Sequence, residues 1–310
     1  CNGNYTLFCF RVEELYLANV TLGNYCSVDL VYPANPALNQ KKRTETVTQA
    51  QLAFQKGEKL CADNCRFVSR LNLVPVCGAK RALYRKCHFV STDDALNGNA
   101  VYVGCDFDFY GNRPIYQATG TGAVFIDCIF RSKIKTMGTE AEQYLTKEGG
   151  QVALIDCRYE TEGNVPVRVG WTKYPLPSLK CYQYGVVQNG KPVTLGGDDS
   201  EETVQLQGKK ALEAYVFEYE EKRYINIENL LGSKGWNPPG EPSISKKAGK
   251  LRIPTFMQLH TDREKIAFGE ETIHVTANVY LFSGEECQER VDFFLEKSDM
   301  VYAELIPESE

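Results

Sequence analysis

The sequence has 310 residues, 43% of them hydrophobic, and a formal net charge of -5 at pH 7. This size and composition support one large domain or two modest ones and exclude general disorder. The acidic balance argues against nucleic acid as a partner, because binding phosphates requires a basic surface, and no run of about 18 apolar residues predicts a membrane span.

The N-terminus enters strand-like sequence within a few residues of Cys1, and it shows neither an initiator Met nor a basic-then-apolar leader. We therefore expect that an upstream segment was removed or was never included. An alternative is that Cys1 is the lipidated first residue of a mature bacterial lipoprotein, although no lipobox is visible.

A cysteine repeat organises the first half of the chain. Each copy has a polar or glycine residue before the cysteine and an aromatic residue two positions after it. The five cysteines are Cys65, Cys87, Cys105, Cys128 and Cys157. They lie 18 to 29 residues apart, which is the length of one coil in a solenoid whose repeats bury their apolar faces against their neighbours. Residues 18–22 form an earlier copy with Val20 in place of Cys.

These cysteines are predicted to stack inside the solenoid as small buried side chains rather than to form disulfides or bind metal. The chain has only three His and no C-x-x-C pair, which disfavours a metal site. The segments before the cysteines alternate or are β-branched, as in residues 100–103 and 123–126, so the coils are predicted to consist of strands. Residues 32–48 are predicted to be a loop that walls a groove.

The C-terminal half divides by composition. Residues 1–178 are assigned to the solenoid, and residues 179–231 stay β-like without the repeat, so they are predicted to continue or cap it. Residues 232–250 are rich in Gly, Pro, Ser and Lys and are predicted to be a linker. Residues 251–310 alternate in short strands and resemble the Ig-like accessory domains of bacterial surface proteins, which implies a small β-sandwich.

Several motifs together resemble the pectin methylesterase family. Residues 49–59 with 64–67 are similar to its Q-A-V-A-L-R-V-x-G-D-R pattern followed by N-C-x-F, and residues 81–87 with 92–100 are similar to R-Q-Y-Y-R-D-C and T-V-D-F-I-F-G-N-A. Weaker matches occur at residues 17–22, 121–128 and 169–171. The resemblance covers residues 5–175, implies that the family's first coils are missing, and implies an all-β fold, the right-handed parallel β-helix.

The family's functional residues carry over in part. The resemblance places the oxyanion-stabilising Gln at Gln49 and the nucleophilic Asp at Asp94, but it places Asn72 where the family has its acid/base Asp. Lys147 falls where the family has an Arg that pairs with the nucleophile, and Leu71 falls where it has a second Gln. The implied catalytic set is therefore Asp94, Gln49, Asn72 and Lys147, in a degenerate site.

These substitutions have chemical consequences. An amide at position 72 cannot donate or accept a catalytic proton, and loss of a general acid/base lowers a rate on the order of 10²- to 10⁴-fold. Lys147 lacks the planar fork with which Arg orients a carboxylate. Asp93 is adjacent to Asp94, so it is expected to face inward or to lie at a bend if Asp94 faces the groove.

Two other enzyme classes remain open on the same fold. Asp93 and Asp94 also resemble the G-D-D element of polygalacturonase-type hydrolases, with Asp106 or Asp108 as further carboxylates on the next coil. The N-T-D and G-H-G elements of that family are missing, and His88 in the cysteine repeat is interpreted as structural. A calcium-dependent lyase is a third possibility without motif support.

A non-catalytic polysaccharide-binding β-helix is the remaining alternative, with basic and aromatic side chains on uronate units. The candidate substrate-binding residues are Asp93, Arg70, Arg168 and Trp171, together with Lys147. The favoured prediction is an ester hydrolase of the pectinesterase type that acts on esterified uronate polysaccharide. We expect no cofactor and no metal, a pectin-like acidic polysaccharide as partner, and an extracellular, periplasmic or cell-surface location.

Overall fold

The computed structural model of the chain describes residues 6–26, 28–43, 52–69, 79–118, 122–134, 141–163, 165–171, 180–231, 236–240, 256–262, 274–280 and 286–287. Gln49, Arg70 and Asn72 lie outside the described residues, as does Leu71. The described chain is almost entirely β-structure, and its strands are numbered β1 to β25 in chain order.

Two long parallel sheets run the length of the coil stack. The first sheet contains, in order, β2 (Glu14–Ala18), β5 (Lys59–Asp63), β7 (Arg81–Arg85), β9 (Ala100–Val103), β11 (Ala123–Ile126), β14 (Gln151–Ile155), β17 (Lys180–Tyr184) and β20 (Thr203–Gln205). The second sheet contains β3 (Thr21–Gly23), β6 (Arg66–Val68), β8 (His88–Ser91), β10 (Asp106–Phe109), β12 (Ile129–Ser132), β15 (Arg158–Glu160), β18 (Val187–Gln188) and the antiparallel β19 (Lys191–Pro192).

A third set of short strands, which we call the third sheet, precedes strands of the first sheet in several described coils and forms two separate pairs. It contains the parallel pairs β1 (Phe8–Phe10) with β4 (Ala53–Gln55) and β13 (Gln143–Thr146) with β16 (Val167–Gly170). Single parallel bridges join Leu96 to Ile115 and Ile115 to Thr146, so the third sheet continues across these coils. This all-β arrangement of parallel sheets is compatible with the parallel β-helix that the repeat predicts.

The cysteine repeat marks the corner between the first and second sheets. The residue before each repeat cysteine has a left-handed backbone, with φ between 50° and 59°, a conformation that Asn, Asp and Gly adopt most readily. Asn64, Gly104 and Asp127 fit this preference, and Lys86 is an exception. The left-handed residue turns the chain through the corner, which explains why a polar or glycine residue precedes the cysteine.

The repeat cysteines themselves are buried and free, as the sequence predicts. The thiols of four of them contact a backbone carbonyl of the preceding coil: Cys105 Sγ, for example, lies 3.5 Å from the Tyr84 oxygen, and Cys128 Sγ lies 3.5 Å from the Tyr102 oxygen. Cys65 Sγ lies 3.3 Å from the Asp63 oxygen of its own coil. Each cysteine thus fills a narrow interior corner and supplies a weak donor to a nearby carbonyl.

Two ladders of aromatic rings fill the interior between the first and second sheets. Neighbouring rings in each ladder have centroids 4.7 to 5.2 Å apart, a separation typical of stabilising aromatic pairs. One ladder is Tyr84, Tyr102 and Phe125. The other is Phe67, Phe89, Phe107, Phe130 and Tyr159. The ladders hold successive coils in register and so fix the positions of the loops that follow the second sheet.

Two segments cover the outer faces of the sheets. The loop after β3 contains a 3₁₀ helix (Pro36–Leu38), and its Val28 and Leu30 pack on Val68 and Val90 of the second sheet. After the last coil, helix α1 (Lys209–Glu213), the hairpin β21 (Val216–Tyr219) and β22 (Lys222–Ile225), and helix α2 (Ile227–Leu231) follow in order. Buried side chains between residues 214 and 231 pack on the outward residues of the first sheet.

Near the C-terminus, an antiparallel sheet contains β23 (Phe256–Thr261), β24 (Val275–Tyr280) and β25 (Glu286–Cys287). The Ig-like sandwich stays a prediction, because much of residues 251–310 lies outside the described ranges, as does most of the predicted linker. Within the part of the chain that the structure describes, no helix is both long enough and apolar enough to cross a membrane.

Candidate active site at the turn before the third sheet

Asp93 and Asp94 occupy a turn that connects β8 of the second sheet to Leu96 of the third. Asp94 has a left-handed backbone with φ 54°, so the alternation of side chains along an extended strand does not continue through this pair. Of the two positions expected for Asp93, the structure shows the bend. Both carboxylates are partly buried, with 23% and 13% of the Asp93 and Asp94 side chains exposed.

Asp93 is bound by Arg113 from the next coil. The backbone N–H of Arg113 donates to Asp93 Oδ1 at 2.8 Å, and Arg113 Nη2 donates to Asp93 Oδ2 at 2.9 Å. The same guanidinium lies over the ring of Trp171, with 4.0 Å from Cζ to the ring centroid. Both oxygens of Asp93 therefore serve to position Arg113, and Arg113 in turn bridges Asp93 and Trp171.

Asp94 lies beside Lys147, which comes from β13's coil, two coils further along the stack. Lys147 Nζ is 3.8 Å from Asp94 Oδ2 and 5.0 Å from the centroid of the Tyr116 ring. Backbone bonds of the third sheet impose this proximity, since Asp94 N donates to Arg113 O and Lys147 N donates to Ile115 O. The pairing of Asp94 with Lys147, inferred from the sequence resemblance, is thus present as a contact.

The other carboxylate oxygen of Asp94, Oδ1, differs from Oδ2 in its contacts. Asp94 Oδ1 is buried and accepts no hydrogen bond from any residue that the structure describes. Burial raises the pKa of Asp94, and the positive charge of Lys147 opposes this only in part, while the negative charge of Asp93 adds to the increase. A buried carboxylate with an open acceptor is poorly solvated, which makes it a stronger base and nucleophile than one in water.

We refer to Asp93, Asp94, Arg113, Tyr116, Lys147 and Trp171 as the Asp94 corner. Its chemistry combines one desolvated carboxylate with two cations and two aromatic rings. A carboxylate of this kind attacks an acyl carbon or accepts a proton, and adjacent cations stabilise the negative charge that develops.

The structure brings four of the predicted site residues together and pairs a fifth with a residue outside this group. Asp93, Asp94, Lys147 and Trp171 lie in the Asp94 corner, whereas Arg168 pairs with Glu142, with 2.6 Å between Arg168 Nε and Glu142 Oε1. Burial raises the pKa of Glu142, but the hydrogen bonds from Tyr144 and Arg168 outweigh it and hold that pKa below its usual range. Arg168 is therefore engaged with Glu142, and its predicted substrate-binding role stays a prediction.

Sequence reasoning missed Arg113. The signal available was Gly111, two residues earlier: a Cβ at this position would lie 2.4 Å from Asp93 Oδ1 and 2.5 Å from Asp93 N. Only glycine leaves room for the turn that carries the two aspartates, and the chain then reaches Arg113 directly. In the sequence, Gly111 stands two positions before the Arg113-Pro114 pair, and this spacing was the available signal for Arg113.

The other candidate carboxylates lie elsewhere. Asp106 and Asp108 are on β10 of the second sheet, where Asp106 Oδ1 lies 2.9 Å from Arg131 Nη2 and Asp108 Oδ2 lies 2.8 Å from His88 Nε2. Lys133 Nζ is 3.9 Å from the other oxygen of Asp108. His88 is thus a hydrogen-bond partner of Asp108 at the outward position beside the buried Cys87, in keeping with its structural interpretation.

The fold and the Asp94 corner define a protein of stacked parallel coils with a carboxylate and lysine site on the third sheet. No family model, curated protein or solved structure matches the chain. Among the described residues, no group of three or more His, Cys, Asp or Glu side chains is arranged to hold a metal ion. The function must therefore be inferred from the residues of the corner.

Proposed function

We propose that the chain is a pectin methylesterase-like protein that hydrolyses methyl esters of a uronate polysaccharide at the Asp94 corner. The observation that supports this proposal is the 3.8 Å contact between Asp94 Oδ2 and Lys147 Nζ. The two residues are far apart in sequence, and they stand at the positions where the resemblance places the nucleophile and its cationic partner. A chance resemblance would not be expected to bring these two positions into contact.

The reaction follows from the state of Asp94. Its buried carboxylate attacks the carbonyl carbon of the ester, the bond to the methoxy group breaks, and an acyl-enzyme and methanol result. Water then hydrolyses the acyl-enzyme and regenerates the Asp94 carboxylate. Lys147 offsets the negative charge on the tetrahedral intermediate, and the resemblance assigns Gln49 as a further donor to its oxygen.

The substrate class follows from the charges around Asp94. Lys147 and Arg113 are cations beside the nucleophile, and Trp171 and Tyr116 are aromatic rings beside those cations. A polysaccharide with both carboxylates and sugar faces complements this set, which favours a pectin-like polymer. The finer assignments belong to the same proposal: a right-handed β-helix, an Ig-like sandwich at residues 251–310 that acts as a spacer, and an extracellular, periplasmic or cell-surface location.

The test is to follow methanol and new reducing ends in the same tubes, with highly methylated pectin as substrate. We expect methanol without reducing ends. Reducing ends without methanol would indicate the polygalacturonase-type hydrolase. That alternative has less support, because Asp106 and Asp108 are ion-paired on the second sheet.

A second candidate, non-catalytic binding of the same polysaccharide, is favoured by one observation. Asn72 occupies the place of the family's acid/base residue, and a groove without that acid retains its cations and rings. This candidate predicts that the protein is retained on immobilised pectin and releases neither product. Failure of both retention and product release would exclude both candidates for pectin.

A further inference from the structure

A gap in the proposed reaction concerns the proton of the leaving group. Methoxide is a poor leaving group, so an ester hydrolase needs an acid that protonates the departing oxygen and later a base that accepts a proton from water. Asn72 stands at the family's position for this acid and cannot fill the role. Asp93 is also unsuited, because Arg113 binds both of its oxygens.

Lys147 is the group at the corner that has a proton to give. Its ammonium lies 3.8 Å from Asp94 Oδ2 and over the Tyr116 ring, with 23% of its side chain exposed. An ester carbonyl attacked by Asp94 must lie within bonding distance of an Asp94 oxygen, so the leaving oxygen lies close to the same ammonium. Glu148 follows Lys147 in the chain; its backbone N–H donates to the Tyr116 oxygen, and its negative charge acts to raise the pKa of Asp94.

Lysine differs from arginine in the respect that matters here. A guanidinium does not give up its proton in proteins, whereas an ammonium does, and it can rotate to present any of three donors. The replacement of the family's Arg by Lys therefore weakens a fixed clamp but adds an acid. Relative to the family pattern, the sequence therefore lacks the acid at position 72 and has a candidate acid at position 147.

We propose that Lys147 is the general acid and base of the ester hydrolysis, an inference that rests on the proposed function. In the first step, Asp94 forms a bond to the carbonyl carbon, the bond from carbon to methoxy oxygen breaks, and Lys147 Nζ gives its proton to that oxygen. In the second step, water attacks the acyl-enzyme, the neutral Lys147 amine takes the proton of water, and Asp94 leaves as a carboxylate. No redox partner or metal is required.

The experiment compares wild type with Lys147→Arg on two esters of oligogalacturonate, the methyl ester and the trifluoroethyl ester. Arginine keeps the positive charge beside Asp94 but cannot donate the proton. Trifluoroethoxide is weakly basic and leaves without protonation. We expect kcat on the methyl ester to fall on the order of 10²- to 10⁴-fold, with a smaller change in KM, and the rate on the trifluoroethyl ester to fall by less than about tenfold.

Lys133→Arg is the matched control. Lys133 Nζ lies 3.9 Å from Asp108 on the second sheet, almost the same separation as in the Asp94 corner, so this variant makes the same exchange at an ion pair without a catalytic role. Full activity of Lys147→Arg on the methyl ester, or equal losses on both esters, would overturn the inference. A wild type that releases no methanol would overturn the proposed function itself, which is a separate result.

Discussion

Two aspartates in this molecule have a lysine at almost the same distance, and yet their pKa values are shifted in opposite directions. Asp94 of the third-sheet turn is 3.8 Å from Lys147, and Asp108 of the second sheet is 3.9 Å from Lys133. Their side chains are similarly covered, at 13% and 19% exposed. The pKa of Asp94 is raised, whereas the pKa of Asp108 is lowered.

The difference lies in how many hydrogen bonds and positive charges stabilise each ionised carboxylate. Burial acts to raise the pKa of both carboxyls, but Asp108 accepts a hydrogen bond from His88, and the charges of His88, Lys133 and Arg131 outweigh the burial. At Asp94, burial and the repulsion of Asp93 outweigh the charges of Lys147 and Arg113, and its Oδ1 has no partner among the described residues. A carboxylate with its partners satisfied stabilises the fold, and one left unsatisfied is available for chemistry.

The largest expected effect is on activity. We expect Asp94→Asn to lower methanol release from methylated pectin by at least about 10³-fold, because an amide is not a nucleophile toward an ester. Asp108→Asn should leave the rate unchanged. Comparable rates for wild type and Asp94→Asn would mean that the turn is structural and that the comparison of the two aspartates has no bearing on function.

The next effect comes from the glycine that makes room for the turn. In Gly111→Ala, the new methyl would lie 2.4 Å from Asp93 Oδ1, so the turn must shift, and a displacement of about 1 Å lowers a rate on the order of 10²-fold. Gly104→Ala is the control: its Cβ meets nothing closer than 3.9 Å, although its φ of +59° makes alanine strained there. Methanol release and thermal melts should separate the two variants. We expect Gly111→Ala to lose activity and Gly104→Ala to lose only stability.

A smaller effect concerns the stability of the second sheet. Asp108→Asn removes a charged acceptor from His88, so we expect the free energy of unfolding at pH 7 to fall by about 1 to 3 kcal/mol. The lowered pKa of Asp108 means that its contribution is present at neutral pH and is lost as the pH falls through its folded pKa. Urea denaturation at several pH values should show the difference between wild type and variant shrinking in acid; a constant difference would argue against the ion pair.

The smallest expected effect is an increase in the free energy of unfolding rather than a decrease. Because the pKa of Asp94 is raised in the folded state, its ionised form opposes folding at neutral pH, and this cost disappears as the pH falls below the unfolded pKa. We therefore expect Asp94→Asn to be slightly more stable than wild type at pH 7 and equal to it in acid. Urea denaturation again provides the check, and a variant destabilised at pH 7 would show that Asp94 serves the fold.

Much of the fold was predictable from local residues. The left-handed residue before each repeat cysteine is Asn, Asp or Gly in four of the five copies, and the aromatic residue two positions later forms an interior ladder. These features depend on neighbours in the same or adjacent coil, so sequence spacing is sufficient to read them. The approach of Asp94 to Lys147 followed from the resemblance rather than from spacing.

The rest of the Asp94 corner depends on which residues of neighbouring coils lie side by side. The sequence spacing of the repeat does not determine this alignment. Arg113 reaches Asp93 and Trp171 only because bridges at Leu96, Ile115 and Thr146 align three coils whose loops differ in length. The same limitation applies to Arg168, since its partner Glu142 lies on the preceding coil and 26 residues away in sequence. Contacts between side chains on different coils therefore had to be taken from the structure.

The most direct test of the contrast between the two aspartates is an NMR titration of the carboxyl carbons in protein labelled at aspartate. The Asp94 and Asp108 signals are assigned by their loss in Asp94→Asn and Asp108→Asn. We expect the pKa of Asp94 to lie above the usual value for aspartate and the pKa of Asp108 to lie below it. An Asp94 that titrates at or below Asp108 would contradict the account, because both would then be satisfied structural carboxylates.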